Sequence, residues 1–171
     1  MRILTLTAAL TILAGGAMAQ EQPDLPQLDA SVLETCLEGA RGNGADGPES
    51  CIGKAATQCS RGANGQTTIG MSHCLGQELD LWDARLNETY DKLVTLAEDT
   101  DREMAILNSA AEKQLPHLQQ MQKDWITYRD SACDYERSRW GGGTGGGPAQ
   151  TYCVLTLTAR QTIWLTNYLQ Q

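Results

Sequence analysis

Phenylalanine is absent from this sequence, histidine occurs only twice, and acidic residues outnumber basic ones. The 171 residues include 13 Lys and Arg against 21 Asp and Glu, for a formal charge of −8. A protein of this charge is repelled at long range by nucleic-acid phosphates and by anionic bilayer surfaces. The composition therefore argues against nucleic acid and anionic membranes as partners.

Motifs of the common catalytic and metal centres are also missing. The sequence has no GxSxG, HExxH or CxxC, and its glycine-rich segment lacks the lysine of a phosphate-binding loop. Its two histidines, His73 and His117, lie 44 residues apart, which disfavours a zinc site. We therefore expect neither an enzyme nor a metal or other cofactor.

The first 19 residues have the pattern of a signal peptide. Arg2 precedes an apolar stretch, and Ala17 and Ala19 supply the small residues of a cleavage site. No cysteine follows that site to carry a lipid anchor, and no later stretch has the roughly 18 apolar residues of a membrane span. We expect a periplasmic or secreted protein without a membrane anchor.

An even number of cysteines in an exported chain predicts a disulfide framework, here of three bonds. Cys133 and Cys153 flank a glycine loop far from the other four, so we expect them to pair. Spacing favours pairing the remaining cysteines locally over two intervals of 15 residues, although crossed pairing stays open. The six residues are Cys36, Cys51, Cys59, Cys74, Cys133 and Cys153.

Composition divides the mature chain into three parts. Residues 20–30 contain two prolines and predict a flexible lead-in, whereas residues 31–73 hold three cysteines and many glycines, with a fourth cysteine directly after them, and predict a cysteine-rich cap with short helical pieces. Residues 74–171 are expected to form a helical domain.

Apolar residues in that domain recur at steps of three and four, which predicts helices. The first stripe predicts a helix from an N-cap at Ser72, and residues 98–102 predict an antiparallel turn. A second stripe runs over residues 104–135, where Pro116 is expected to kink or split the helix. The first stripe is Leu75, Leu79, Trp82, Leu86, Tyr90, Leu93 and Ala97.

A third helix is expected after Cys153, although residues 152–158 would also permit a strand. The predicted fold is therefore all-α: an antiparallel helical hairpin or bundle with a third C-terminal helix, stapled by disulfides. Trp82, Trp125 and Trp164 fall on apolar stripes and are expected in the core. Trp140 lies off the stripes beside the glycine run and is expected to be exposed.

The glycine run between the last two cysteines predicts a loop, because it is followed by Pro148 and cannot hold a regular element. We interpret it chiefly as a flexible connector, with a mobile binding loop as the sharper alternative. Its candidate binding residues are Trp140, Gly141, Gly142, Gly143, Thr144, Gly145, Gly146 and Gly147.

A further motif runs from Trp125 to Cys133 and includes Tyr128, Arg129 and Asp130. It is the most specific part of a pattern from Cys74 to Leu169 that resembles the LprI-type lysozyme inhibitor family of small exported bacterial proteins. We expect Arg129 and Asp130 to support the neighbouring disulfide more than to bind a ligand. The resemblance implies a helical domain over 74–171 that binds a basic lysozyme-type protein. The alternative is an envelope-associated structural or interaction module that inhibits no lysozyme.

Overall fold

A computed structural model describes residues 24–41 and 47–170 of this chain, and the expected signal peptide lies outside them. The described residues form helices and turns without a strand, which confirms the all-α prediction and removes the strand alternative at 152–158. The elements in chain order are α1 (Ser31–Arg41), a 3₁₀ turn (Pro48–Cys51), α2 (Lys54–Cys59), α3 (Thr68–Ile106), α4 (Gln114–Ser138) and α5 (Gly146–Tyr168).

Helix α3 is longer at both ends than the periodicity predicts. Its N-cap is Thr67, whose hydroxyl accepts from the Gly70 N–H, so the prediction of Ser72 as cap was wrong. The turn predicted at 98–102 was also wrong, since those residues continue the helix, with Arg102 paired to Asp99 at 2.9 Å. Charged residues that pair at i,i+3 suit a solvated helix as well as a turn.

The connection between α3 and α4 instead lies at residues 107–113. Asn108 there has a positive φ of 50°, a conformation that asparagine tolerates better than most residues. Pro116 neither kinks nor splits α4, contrary to expectation, because it lies in the first turn of the helix. The N–H groups of that turn have no partner inside the helix, so proline removes nothing from it.

The three long helices pack side by side. Helix α5 runs parallel to α3, since Gly147 lies beside Ser72 and the Thr162 hydroxyl is 3.4 Å from the Trp82 carbonyl. Helix α4 is antiparallel to both. At 1.5 Å per residue the 39 residues of α3 extend about 58 Å. Because α5 ends near Leu93, the last 13 residues of α3 project roughly 20 Å beyond it.

Burial follows the first predicted stripe closely and the second only loosely. Four of the seven residues of the first stripe are buried on α3, namely Trp82, Leu86, Leu93 and Ala97. On α4 only Cys133 is buried, because this helix lies on the outside of the pair formed by α3 and α5.

Trp164 is 44% exposed, which corrects its expected place in the core. It lies off the face of α5 that packs on α3, and its ring meets that of Tyr168 edge-on with centroids 5.3 Å apart. The residues buried on that face include Leu155, Thr158, Ala159, Thr162 and Leu165.

Three disulfides join the helices. Cys133 is bonded to Cys153 between α4 and α5. The remaining four cysteines adopt the local pairing, with Cys36 bonded to Cys51 and Cys59 bonded to Cys74. These two bonds attach α1 to the 3₁₀ turn and α2 to α3, so the short helices of the cap are held on the long ones.

The lead-in expected to be flexible is anchored where the structure describes it. Residues 24–30 form no helix or strand, yet the Leu28 N–H donates to Gln77 at 3.2 Å and the Asp24 carbonyl accepts from Asn64 at 3.0 Å. Within the described ranges, no helix is long and apolar enough to cross a membrane.

Candidate functional site

The motif residues of α4 build a supporting layer beside the core. Trp125 is half-buried and packs with Tyr90 against the cluster of Leu86, Leu93 and Leu165. Burial and the neighbouring Asp91 raise the pKa of the Tyr90 phenol. Trp125 was expected between helices, and it lies at the edge of the core rather than inside it.

Arg129 joins this layer to its own neighbour. Its Nε and Nη2 atoms donate to one carboxylate oxygen of Asp130 at 2.9 and 2.8 Å. The guanidinium carbon lies 5.0 Å from the centre of the Trp125 ring, a cation–π contact. Because Arg129 is engaged on both sides, the geometry favours a role in supporting the helix packing.

Tyr128 differs from these neighbours because it is 60% exposed and lines a groove between α4 and α5. Trp140 and Tyr152, each about half exposed, line the same groove, which measures about 560 Å³. The Cys133–Cys153 disulfide joins the two helices here, and Cys153 forms part of the groove wall. We call these residues the aromatic groove. The sequence predicted that Trp140 is exposed. Only the packing of α4 against α5 shows that Tyr128 lines the same groove.

The glycine run is an ordered turn around Trp140. Gly141 and Gly142 have φ values of 54° and 83°, which suit glycine. A Cβ on Gly145 would lie 2.3 Å from the Trp140 ring, so only glycine fits there. Gly146 and Gly147 already belong to α5, with Pro148 in its first turn. The expectation that the whole run forms a loop, with Pro148 ending any helix, was therefore wrong.

A smaller pocket of about 330 Å³ adjoins the aromatic groove on the side of the cap. Tyr152 lines both, and Gly53 at the start of α2 lies against its ring. The exposed cations Lys54 and Arg61 line this pocket. Within the described part of the chain, neither has a carboxylate oxygen within 4 Å. We call it the cationic pocket.

Glu78 is a buried acid that the sequence analysis missed. One of its oxygens accepts from the Gly53 N–H at 2.7 Å, and the other accepts from the Ala56 N–H at 2.7 Å. The Trp82 indole N–H also donates to the oxygen that accepts from Gly53, at 3.2 Å. The acid therefore caps α2 and secures the wall of the cationic pocket. Its i,i+4 spacing to a stripe tryptophan was the available signal.

A second exposed feature is the projecting end of the hairpin, residues 96–113, which we call the α3–α4 tip. Ile106 and Leu107 are 74% and 69% exposed, and Leu96 is 49% exposed. Five acids and two bases surround them. Asp101 holds the tip closed, because its carboxylate accepts from the Gln114 and Leu115 N–H groups at 2.7 and 3.1 Å.

The described residues contain no group of three or more His, Cys, Asp and Glu side chains arranged to hold a metal ion. Two exposed features of the described residues differ in character: a groove lined with aromatic rings, and an acidic tip that exposes aliphatic side chains.

Comparison with known proteins shows the family to which this chain belongs. The profile of the family "Lysozyme inhibitor LprI" matches residues 59–165, which is more than half of the chain. The protein is thus a member of the LprI lysozyme inhibitor family. An uncharacterized protein of Rhizobium meliloti (strain 1021) is 28% identical over 102 residues, covering 60% of this chain and 73% of that protein. No solved structure shows significant similarity to the chain.

Proposed function

We propose that this protein is exported, without a membrane anchor, to the periplasm or the medium, and that it binds and inhibits a basic lysozyme there. Family membership supports the type of partner. The observation that carries the proposal is the α3–α4 tip, a projection with exposed aliphatic side chains among acids. An inhibitor must cover or enter the cleft of its target, and a projecting hairpin can do so without rearranging its body.

Charge complementarity supports the same surface. Glu98 and Glu103 are exposed on the tip, and residues 96–113 carry a formal charge of −3. Lysozymes are commonly basic, so this end of the molecule would be attracted over the Debye length of about 8 Å at physiological ionic strength. Ile106 and Leu107 would then contribute apolar contact at short range.

The test is lysis of a cell-wall suspension by a basic lysozyme, titrated with the oxidised mature protein. We expect inhibition by the wild type and a loss of at least tenfold in potency for the double variant Ile106→Ser, Leu107→Ser, about the effect of one interface hot spot. Charge reversal at Glu103 should slow association, and added salt should reduce that difference. Glu38→Lys is the matched control, since it makes the same charge change at an exposed site on the cap.

The loop around Trp140 stays a second predicted contact, and Trp140→Ala belongs in the same assay. If Trp140→Ala loses inhibition while the tip variants inhibit fully, the contact surface is the aromatic groove and not the tip. A wild-type protein that inhibits no lysozyme would instead favour the envelope-associated binding module.

A further inference from the structure

We infer that the aromatic groove and the cationic pocket together form a binding site for a glycan that carries carboxylate groups. Tyr152 lines both, so a ligand lying along the groove past this residue reaches Lys54 and Arg61. This site is separate from the α3–α4 tip and requires no lysozyme.

The three aromatic side chains indicate the saccharide. Tyr128, Trp140 and Tyr152 are each about half exposed or more, so each offers accessible side-chain surface along one groove. A pyranose ring presents C–H groups on its face and hydroxyls on its edge. It can therefore cover an aromatic ring while its polar edge stays hydrated, which suits amphipathic side chains at a wet surface.

Other polar groups in the groove are already engaged by the protein. Glu136 accepts from Arg139 at 2.8 Å, and the Thr156 hydroxyl donates to the Tyr152 carbonyl at 2.8 Å. The backbone on both walls is helical and bonded to itself. An extended peptide would find few partners for its N–H and C=O groups here. A fatty acid would need a more enclosed cavity than this open groove.

The cationic pocket specifies the charge of the ligand. Lys54 and Arg61 are two exposed cations without a carboxylate partner among the described residues, in a chain of formal charge −8. A carboxylate on a sugar seated near Tyr152 would meet them. Glu78 holds the start of α2 and thus the position of Lys54. A glycan that alternates neutral and carboxylate-bearing amino sugars matches both halves of the site.

Calorimetric titration tests this with two probes of equal length. One is a glycan strand of four alternating N-acetylglucosamine and N-acetylmuramic acid residues without stem peptides, and the other is a neutral N-acetylglucosamine tetramer. We expect the wild type to bind both, with the carboxylate-bearing strand roughly two- to fivefold tighter, as for an exposed ion pair. Raising the salt concentration should remove that preference.

Variants separate the two halves of the site. Trp140→Ala should lower the affinity for both probes by about tenfold or more. Tyr135→Ala, which removes an exposed tyrosine of α4 outside the groove, should bind as the wild type does. Lys54→Gln with Arg61→Gln should abolish only the preference for the carboxylate. The control Lys123→Gln with Arg160→Gln removes two exposed cations outside the pocket and should retain the preference for the carboxylate-bearing strand.

Three results would overturn the inference. They are no binding of either strand at millimolar concentration, unchanged binding by Trp140→Ala, and binding of the isolated stem peptide instead of the glycan. Equal affinity of the wild type for the two strands would contradict the role of the cationic pocket. None of these outcomes depends on whether the protein inhibits lysozyme.

Discussion

The body of this molecule and its α3–α4 tip are stabilised by different means. The body carries all three disulfides, the buried Trp82 and the hydrogen-bonded Glu78. The tip has no disulfide, and every residue from 105 to 114 is exposed. Short helices such as the six-residue α2 cannot persist alone, whereas a long hairpin can extend from helices that are anchored elsewhere.

This difference bears on function. The aromatic groove lies beside the disulfide that joins α4 to α5, so the two helices that form its walls are linked covalently, which would lower the entropy lost in the proposed glycan binding. The tip depends on few buried contacts, so its side chains can be changed with little effect on folding.

Removing the tryptophan at the centre of the body should have the largest effect. Trp82 is 1% exposed and contacts the cap and α5, so Trp82→Ala should lower the free energy of unfolding by about 3 to 5 kcal/mol. Trp164→Ala, at a half-exposed site, should cost only about 1 kcal/mol. Urea unfolding measures both, and equal losses would contradict the burial difference.

Removing the disulfide between α4 and α5 comes next. The bond spans 20 residues in sequence, so replacing Cys133 and Cys153 by serine should cost about 3 kcal/mol by loop entropy. Non-reducing peptide mapping should recover these two cysteines linked in the wild type. A free thiol at either position, or a bond to one of the other four, would show the pairing to be wrong.

Exchanging the buried acid for its amide should have an intermediate effect. Glu78→Gln keeps the shape but replaces one acceptor oxygen by an NH₂ group facing a backbone N–H. We expect a loss of about 1 to 3 kcal/mol from the unsatisfied donor. Hydrogen exchange should show the loss as faster opening of α2, and Glu98→Gln on the tip is the matched control. Unchanged exchange at α2 would exclude the capping role.

The smallest effect is expected at the tip. Ile106→Ser with Leu107→Ser should change the free energy of unfolding by no more than about 0.5 kcal/mol, because both side chains are already in water. The thermal midpoint measures this directly. A loss comparable to that at Glu78 would mean that the tip is part of the folded core, and the inhibition assay with this variant would then lose its value.

The sequence predicted correctly those features that depend on a single helix. The stripe from Leu75 to Ala97 predicted the buried face of α3, because side chains three and four apart share a face of any helix. Boundaries were less predictable. Pro116 and Pro148 both lie in the first turn of a helix, and a proline there produces the same local pattern as a proline that ends one.

The candidate sites were only partly visible in the sequence. Trp140 stood out because it lies beside a glycine run and off the apolar stripes. Tyr128 was noticed as part of a motif, with no sign that it shares a groove with Trp140 and Tyr152. The tip was missed because its charged residues were assigned to a turn, which ended α3 too early and concealed its projection.

The sequence alone determined the helical class, the number of disulfides and the apolar face of α3, since composition, cysteine parity and local periodicity are properties of the chain itself. Only the tertiary structure decided between local and crossed pairing of the first four cysteines, that Glu78 caps α2, and which exposed side chains meet in one groove. These depend on contacts between residues distant in the chain, such as the hydrogen bond from the Gly53 N–H to Glu78. Local pattern carries no information about such distances until the helices pack.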